Sequence, residues 1–276
     1  MHLRSWSTTV YIDFMIRSSF TFFLILLFAS CSNRSTNDVF WKSDFADGMN
    51  EHHWGIQESK MWGMENLSIK TIEDRQVLNV VYPKGSASPN VTVNEGAPVG
   101  GGQFLAALCN VDSVFFKYNV RFSPDFDFVK GGKLPGLYGG TANSGGSIPT
   151  GYDGFSTRYM WREDGVGELY LYTPESEQWG TPIGAGNWTF EAGKWHSVQH
   201  QVVLNTPNVH DGKVNIWIDG ELVHSEEGLL FRSTEDLKIN GIFFSTFFGG
   251  NDGSWGSGLD TYIDFDDFSL SQTYIK

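Results

Sequence analysis

The feature that most constrains this chain is an alternation of period two. Phe116, Tyr118, Val120 and Phe122 are apolar, and Lys117, Asn119 and Arg121 lie between them. Successive side chains of a strand point to opposite faces, so residues 114–122 predict a strand with one face in a core and the other in water. Residues 214–218 and 221–224 flank Asp219-Gly220, a pair that favours a type I′ turn, and so predict a tight hairpin. Residues 242–248 are apolar on both faces, as a central strand requires, and residues 262–270 predict a last strand closing a sheet. Long helical periodicity is hard to find, whereas 32 glycines and an aromatic content of 15% suit short strands joined by turns. With no internal repeat and no change of composition along the chain, the expected fold class is all-β, a single antiparallel β-sandwich of jelly-roll type.

The beginning of the chain reads as an address. Arg4 and Arg17 precede an apolar run, residues 20–29, that ends in Ala29-Ser30-Cys31. That run is about half the roughly 20 residues a membrane-spanning helix needs. A positive flank, a short apolar stretch and small residues make a secretory signal, complete from Met15 onward. Ala29-Ser30-Cys31 resembles the bacterial lipobox, with Phe28 in place of the usual Leu or Val, and implies lipidation of Cys31. The expected organisation is a signal over 1–30, a polar tether over 31–37 and one domain over 38–276. A cleaved signal with Cys31 incidental is the alternative.

Charge narrows the partners. The formal net charge is −13, and about −14 once residues 1–30, carrying Arg4, Asp13 and Arg17, are removed. Such a protein has no bulk attraction for nucleic acid or for any polyanion. A site for an acidic ligand must then be a local basic patch. Cys109 is the only other cysteine, so neither a disulfide framework nor a cysteine metal site is expected.

The most informative stretch is residues 155–172. Phe155, Thr157, Tyr159 and Trp161 share one face of a strand, and Ser156, Arg158, Met160 and Arg162 the other. A second strand places Leu169 and Leu171 on one side and Glu168, Tyr170 and Tyr172 on the other. With residues 163–167 as the loop, Arg162 opposes Glu168, Met160 opposes Tyr170, and Arg158 opposes Tyr172. Opposed residues share a face, so Ser156, Arg158, Arg162, Tyr170 and Tyr172 crowd one polar surface. The plain alternative is a solvated sheet face. Upstream, Val129-Lys130-Gly131-Gly132-Lys133-Leu134-Pro135-Gly136 is too glycine-rich for a packed strand and too apolar for a linker. It predicts an irregular strand whose glycines let a ligand approach closely. It lacks the Gly-Lys-Ser/Thr of a phosphate loop.

Gly132-Lys133-Leu134-Pro135-Gly136-Leu137, Phe155-Ser156-Thr157-Arg158-Tyr159-Met160-Trp161-Arg162 and Tyr170-Leu171-Tyr172 together resemble polysaccharide lyase family 14. Asp211-Gly212-Lys213, Asp219-Gly220 and Phe244-Ser245-Thr246-Phe247-Phe248-Gly249-Gly250 extend the likeness from roughly residue 115 to the end. The resemblance implies a β-jelly-roll lyase acting on alginate or glucuronan. It implies a catalytic set of Lys133, Ser156, Arg158, Tyr170 and Tyr172. Lys130 and Arg162 are expected as further substrate contacts.

Such a lyase removes the proton on carbon 5 of a uronate and expels the oxygen on carbon 4. A donor must stabilise the developing enolate, and the two-pronged guanidinium of Arg158, with Lys133, suits that task. Tyrosine, with an unperturbed pKa of about 10, serves as base only if neighbouring cations lower it. Tyr172, Tyr170 and a desolvated Lys133 all remain candidates for the proton, with Ser156 orienting sugar or base. No metal and no organic cofactor is required. Asp252, Asp264, Asp266 and Asp267 lack calcium-loop spacing, and His196 and His200 read as structural. The rival functions are a glycoside hydrolase, which needs two facing carboxylates, and a surface carbohydrate-binding protein.

Overall fold

The computed structural model describes residues 38–276. Cys31, the leader and the tether lie outside them. The strands are β1 (Val39–Ser43), β2 (Leu67–Ile72), β3 (Arg75–Tyr82), β4 (Gly102–Val111), β5 (Ser113–Phe122), β6 (Gly131–Gly140), β7 (Gly154–Arg162) and β8 (Gly167–Tyr172). They continue with β9 (Thr181–Ile183), β10 (Trp195–Val203), β11 (Gly212–Ile218), β12 (Glu221–Leu229), β13 (Ile239–Phe248) and β14 (Thr261–Ser271). All pairings are antiparallel. One sheet runs β12-β11-β10-β5-β14-β3-β2, with β1 also on β14, and the other β4-β13-β6-β7-β8-β9. The expected all-β sandwich is the fold.

The alternation along β5 does what its pattern demands. Val114, Phe116, Tyr118, Val120 and Phe122 are buried, and the residues between them are half-buried on the other side. Across the sandwich they meet Phe155, Tyr159 and Trp161 of β7, Leu169 and Leu171 of β8, and Phe244 and Phe248 of β13 in one core. Each such side chain contributes roughly 1.5–3 kcal/mol on burial, so this layer pins β7 and β8 by their inner faces. Asp219 and Gly220 both take positive φ, 52° and 85°, in the tight turn between β11 and β12. The last strand, β14, is inserted between β5 and β3.

Two expectations are corrected. In the β7–β8 hairpin Ser156 opposes Tyr172, Arg158 opposes Tyr170 and Met160 opposes Glu168, a shift of two residues from the expected pairing. The cause is the loop: Glu163–Gly165 form a 3-10 turn with Asp164 at φ 57°, and Arg162 already bonds Val166. A two-residue shift preserves the faces, so the same side chains still meet. The glycines of β6 also serve a different purpose. This strand is the interior neighbour of both β13 and β7, and a Cβ at Gly132 would strike the Trp161 ring. A Cβ at Gly136 would strike the Thr157 carbonyl and the backbone of Arg158. The close approach is by the protein's own neighbouring strands.

Candidate active site

A bulge aims Lys133. Between Lys133 and Gly136, β6 carries one residue more than β7, and the extra residue falls at Leu134-Pro135. Proline cannot donate to a ladder and is tolerated inside a sheet at such bulges. The bulge reverses the side-chain parity of the strand. Lys133 therefore joins Tyr138, Arg158 and Tyr170 on the outer face of the six-stranded sheet, while Leu134 and Leu137 go to the core. The Tyr118 hydroxyl reaches across the core to donate to the Pro135 carbonyl at 3.2 Å.

The Lys133 Nζ lies 3.6 Å from the centroid of the Tyr170 ring and points at the sulfur of Met160. Burial holds its pKa well below the usual lysine range, the guanidinium groups of Arg158 and Arg162 push the same way, and Glu168 offsets them in part. Arg158 lies alongside, 2% exposed, with its guanidinium 4.7 Å from the centroid of Phe243 and its Nη1 donating to Ser245 Oγ at 3.1 Å. It crosses Gly136, its ladder partner on β6, to reach β13. Burial brings Arg158 down to about 10, opposed by Tyr172 and Tyr170, so it keeps its charge near neutral pH.

Ser156, Tyr170 and Tyr172 complete the face. Tyr170 and Tyr172 pack edge to face, 5.8 Å apart, in a small cluster with Met160 and Ile148 that is separate from the main core. Ser156 donates to the Asn143 carbonyl at 2.6 Å, and the Tyr172 hydroxyl accepts from the Gly146 amide at 3.0 Å. Both hold the loop after β6 against the site. Neighbouring cations do not bring Tyr170 down. Burial, aided by Tyr172, pushes it up to about 12 against the pull of Arg162 and Arg158.

The structure thus brings together Lys133, Ser156, Arg158, Tyr170 and Tyr172. Arg162 reaches the same face, but its charge is committed to Glu168, 2.6 Å away. That carboxylate is held by the ion pair. Lys130 stands apart, exposed at the mouth of β6, on Ser254 and 5.9 Å from the Trp255 ring. A wider concavity of about 460 Å³ nearby is walled by Asp127, Glu163 and Asp164 with only Lys130 opposing. Its sign is wrong for a polyanion. His196 bonds Asp219 and the Glu191 amide, and His200 is enclosed in the core on Thr157, held neutral at about 3 by burial. Asp252 caps Ser254, Asp264 takes Arg121 and Asn79, Asp266 takes Arg75, and Asp267 takes Asn119. The Cys109 thiol donates to the Ile239 carbonyl and is pushed up to about 12 by burial. Sequence reasoning missed Ser245, Phe243 and Gln103, which lie across β13 and β4 from Arg158. A serine inside the apolar run 242–248 was the available signal.

Residues 70–268 match the family model described as Polysaccharide lyase 14. The chain belongs to that family. No match to a curated protein was found by sequence. Among solved structures, the lyase is similar to a marine alginate lyase of the same family from Aplysia kurodai, with TM-score 0.71 and 32% identity over 84% of this chain and 98% of that one. Two others share its fold at lower identity. One is an alginate lyase variant in complex with alginate tetrasaccharide, with TM-score 0.67 and 22% identity over 87% of this chain and 96% of that one. The other is the endo-β-1,4-glucuronan lyase of the fungus Trichoderma reesei, with TM-score 0.55 and 15% identity over 85% and 96%.

Proposed function

We propose that this lyase depolymerises a uronate polymer of the alginate or glucuronan kind, with Lys133, Ser156, Arg158, Tyr170 and Tyr172 as its catalytic set. The observation that carries the reading is an amine held towards its uncharged form beside a buried guanidinium. A free amine is a base, and a fixed cation next to it is a seat for the carboxylate whose neighbouring carbon is to lose a proton. Arg158 takes the carboxylate and holds the enolate charge as it develops. The Lys133 nitrogen takes the proton from carbon 5. That C–H electron pair becomes the double bond between carbons 4 and 5 as the bond from carbon 4 to the glycosidic oxygen breaks. The departing oxygen takes a proton from Tyr172. Ser156 orients the sugar, Arg162 fixes Glu168 and keeps that carboxylate out of the reaction, and Lys130 meets the polymer at the rim. Tyr170, at about 12, is an acid and not a base near neutral pH.

The test is a panel of polymannuronate, polyguluronate and glucuronan, followed by ultraviolet absorbance and product sizing. Unsaturated uronate ends are expected. New reducing ends without that absorbance indicate hydrolysis and overturn the reading.

We propose further that the protein is exported and held to a membrane by lipid on Cys31. The supports are the positive flank, the short apolar run and Ala29-Ser30-Cys31. Cys31→Ser is expected to release the protein from membranes with its lyase activity intact, and unchanged partitioning contradicts the anchor.

A further inference from the structure

A chain of hydrogen bonds leads from the site to a second polar hollow. Arg158 can only donate, so Ser245 Oγ accepts from it at 3.1 Å. The single hydrogen of Ser245 then goes to Gln103 Oε1, 3.3 Å away. This orders the carboxamide of Gln103. Its oxygen faces Ser245, and its Nε2, with two hydrogens, is turned away from the arginine. The backbone of Gln103 is itself fixed by a reciprocal pair of bonds with Trp62, at 2.8 and 2.9 Å. Beside it is a cavity of about 70 Å³, walled by Lys60, Gln103, Thr141 and Ser144 and floored by Phe243. Phe243 is the ring on which the Arg158 guanidinium rests. The hollow therefore adjoins the cleavage site, separated from it by one aromatic ring.

Lys60 brings a positive charge there, Ser144 brings a hydroxyl, and no carboxylate lines the wall, while the Thr141 hydroxyl is already given to Asn143 Oδ1. In a protein of net charge −13 such a patch is conspicuous for its sign. The volume suits a small planar group and not a whole sugar.

We propose that this hollow is a second carboxylate seat, taking the acid group of the uronate next to the one that is cleaved, with Gln103 Nε2 and Lys60 as its donors. The proposal rests on the reading of the Lys133–Arg158 face as the cleavage site. It makes recognition a matter of two successive acidic sugars, so the lyase selects for blocks of uronate and not for isolated residues in a mixed polymer.

The experiment is steady-state kinetics on a uronate homopolymer with wild type, Lys60→Glu and Gln103→Leu, each checked for an unchanged melting temperature. Charge reversal at Lys60, exposed on its short turn, leaves the fold intact even if Gln103→Leu does not. KM should rise about tenfold in each, the loss of one charge-assisted hydrogen bond, with kcat within about twofold for Lys60→Glu. Partial methyl esterification of the polymer should raise the wild-type KM and leave that of Lys60→Glu much less affected. Unchanged KM in both variants overturns the seat while leaving the cleavage site standing. A fall in kcat without a change in KM for Gln103→Leu also overturns it, since that outcome makes Gln103 a support for Arg158 only. A wild type that yields no unsaturated ends from any uronate polymer removes the underlying reading instead.

Discussion

Lys133 is an ordinary side chain placed where an ammonium ion is costly. Its burial and the two guanidinium groups nearby favour the neutral amine, and the sign of the pH dependence follows. Below its depressed pKa the nitrogen carries a proton and cannot accept another. Log kcat/KM should therefore climb as pH rises through that pKa and level off above it, well short of the usual lysine range of about 10.4. A rate that falls across this interval would contradict Lys133 as the base. Tyr172 is a separate test. Its hydroxyl accepts from the Gly146 amide, so Tyr172→Phe should cost about 1 kcal/mol of stability in a denaturant titration. As the proposed acid it should cost roughly 10²–10⁴-fold in rate, with polymer binding kept by Arg158. Near-normal turnover of Tyr172→Phe would pass that role to Tyr170 or to the Lys133 ammonium.

At the scale of the element, the decisive parts are the bulged strand β6 and the hairpin β7–β8. Gly136→Ala forces a methyl group against the Thr157 carbonyl and the Arg158 backbone, so a loss of about 1–3 kcal/mol of unfolding free energy, read as a lower urea midpoint, and reduced activity are expected. An unchanged midpoint would show that β6 and β7 pack less closely than described. Strand β14 carries its own titration. Burial first, and then Asp267, raise Asp266 to about 6, so the folded protein binds that proton more tightly than the unfolded chain. Its contribution is full below the unfolded value of about 3.9 and is lost as pH rises through about 6, a drop on the order of 1–3 kcal/mol. Asp266→Asn should remove that decline, and melting temperatures from pH 4 to 8 would reveal it. What was legible here was parity. Alternation assigned Ser156, Arg158, Tyr170 and Tyr172 to one face, and a two-residue register change left that assignment untouched. The partner of each residue was not legible, because the 3-10 turn at Glu163–Gly165 sets it.

For the whole molecule, the two sheets turn a pattern of alternating residues into a core on one side and a reaction surface on the other. The all-β sandwich and the shared face of Ser156, Arg158, Tyr170 and Tyr172 were readable from period-two runs, whereas Lys133 joined them only through the family resemblance, because a bulge decides its face. The seat around Gln103 and Ser245 was not, since those residues are separated by 142 positions and meet only through strand order. The acidic surface gives no long-range attraction for a polyanion, so recognition falls to local cations, the enclosed Lys133 and Arg158 and the exposed Lys60 and Lys130. We propose that the chain breaks uronate polymers by β-elimination through Lys133. The most direct measurement follows unsaturated uronate ends, by ultraviolet absorbance, for wild type and Lys133→Met on the same polymer. Met fills the volume of the lysine stem without a nitrogen, so the fold should persist. Wild type should form unsaturated ends rapidly, and the variant at a rate lower by roughly 10²–10⁴-fold. A Lys133→Met protein that forms them at close to the wild-type rate would contradict it.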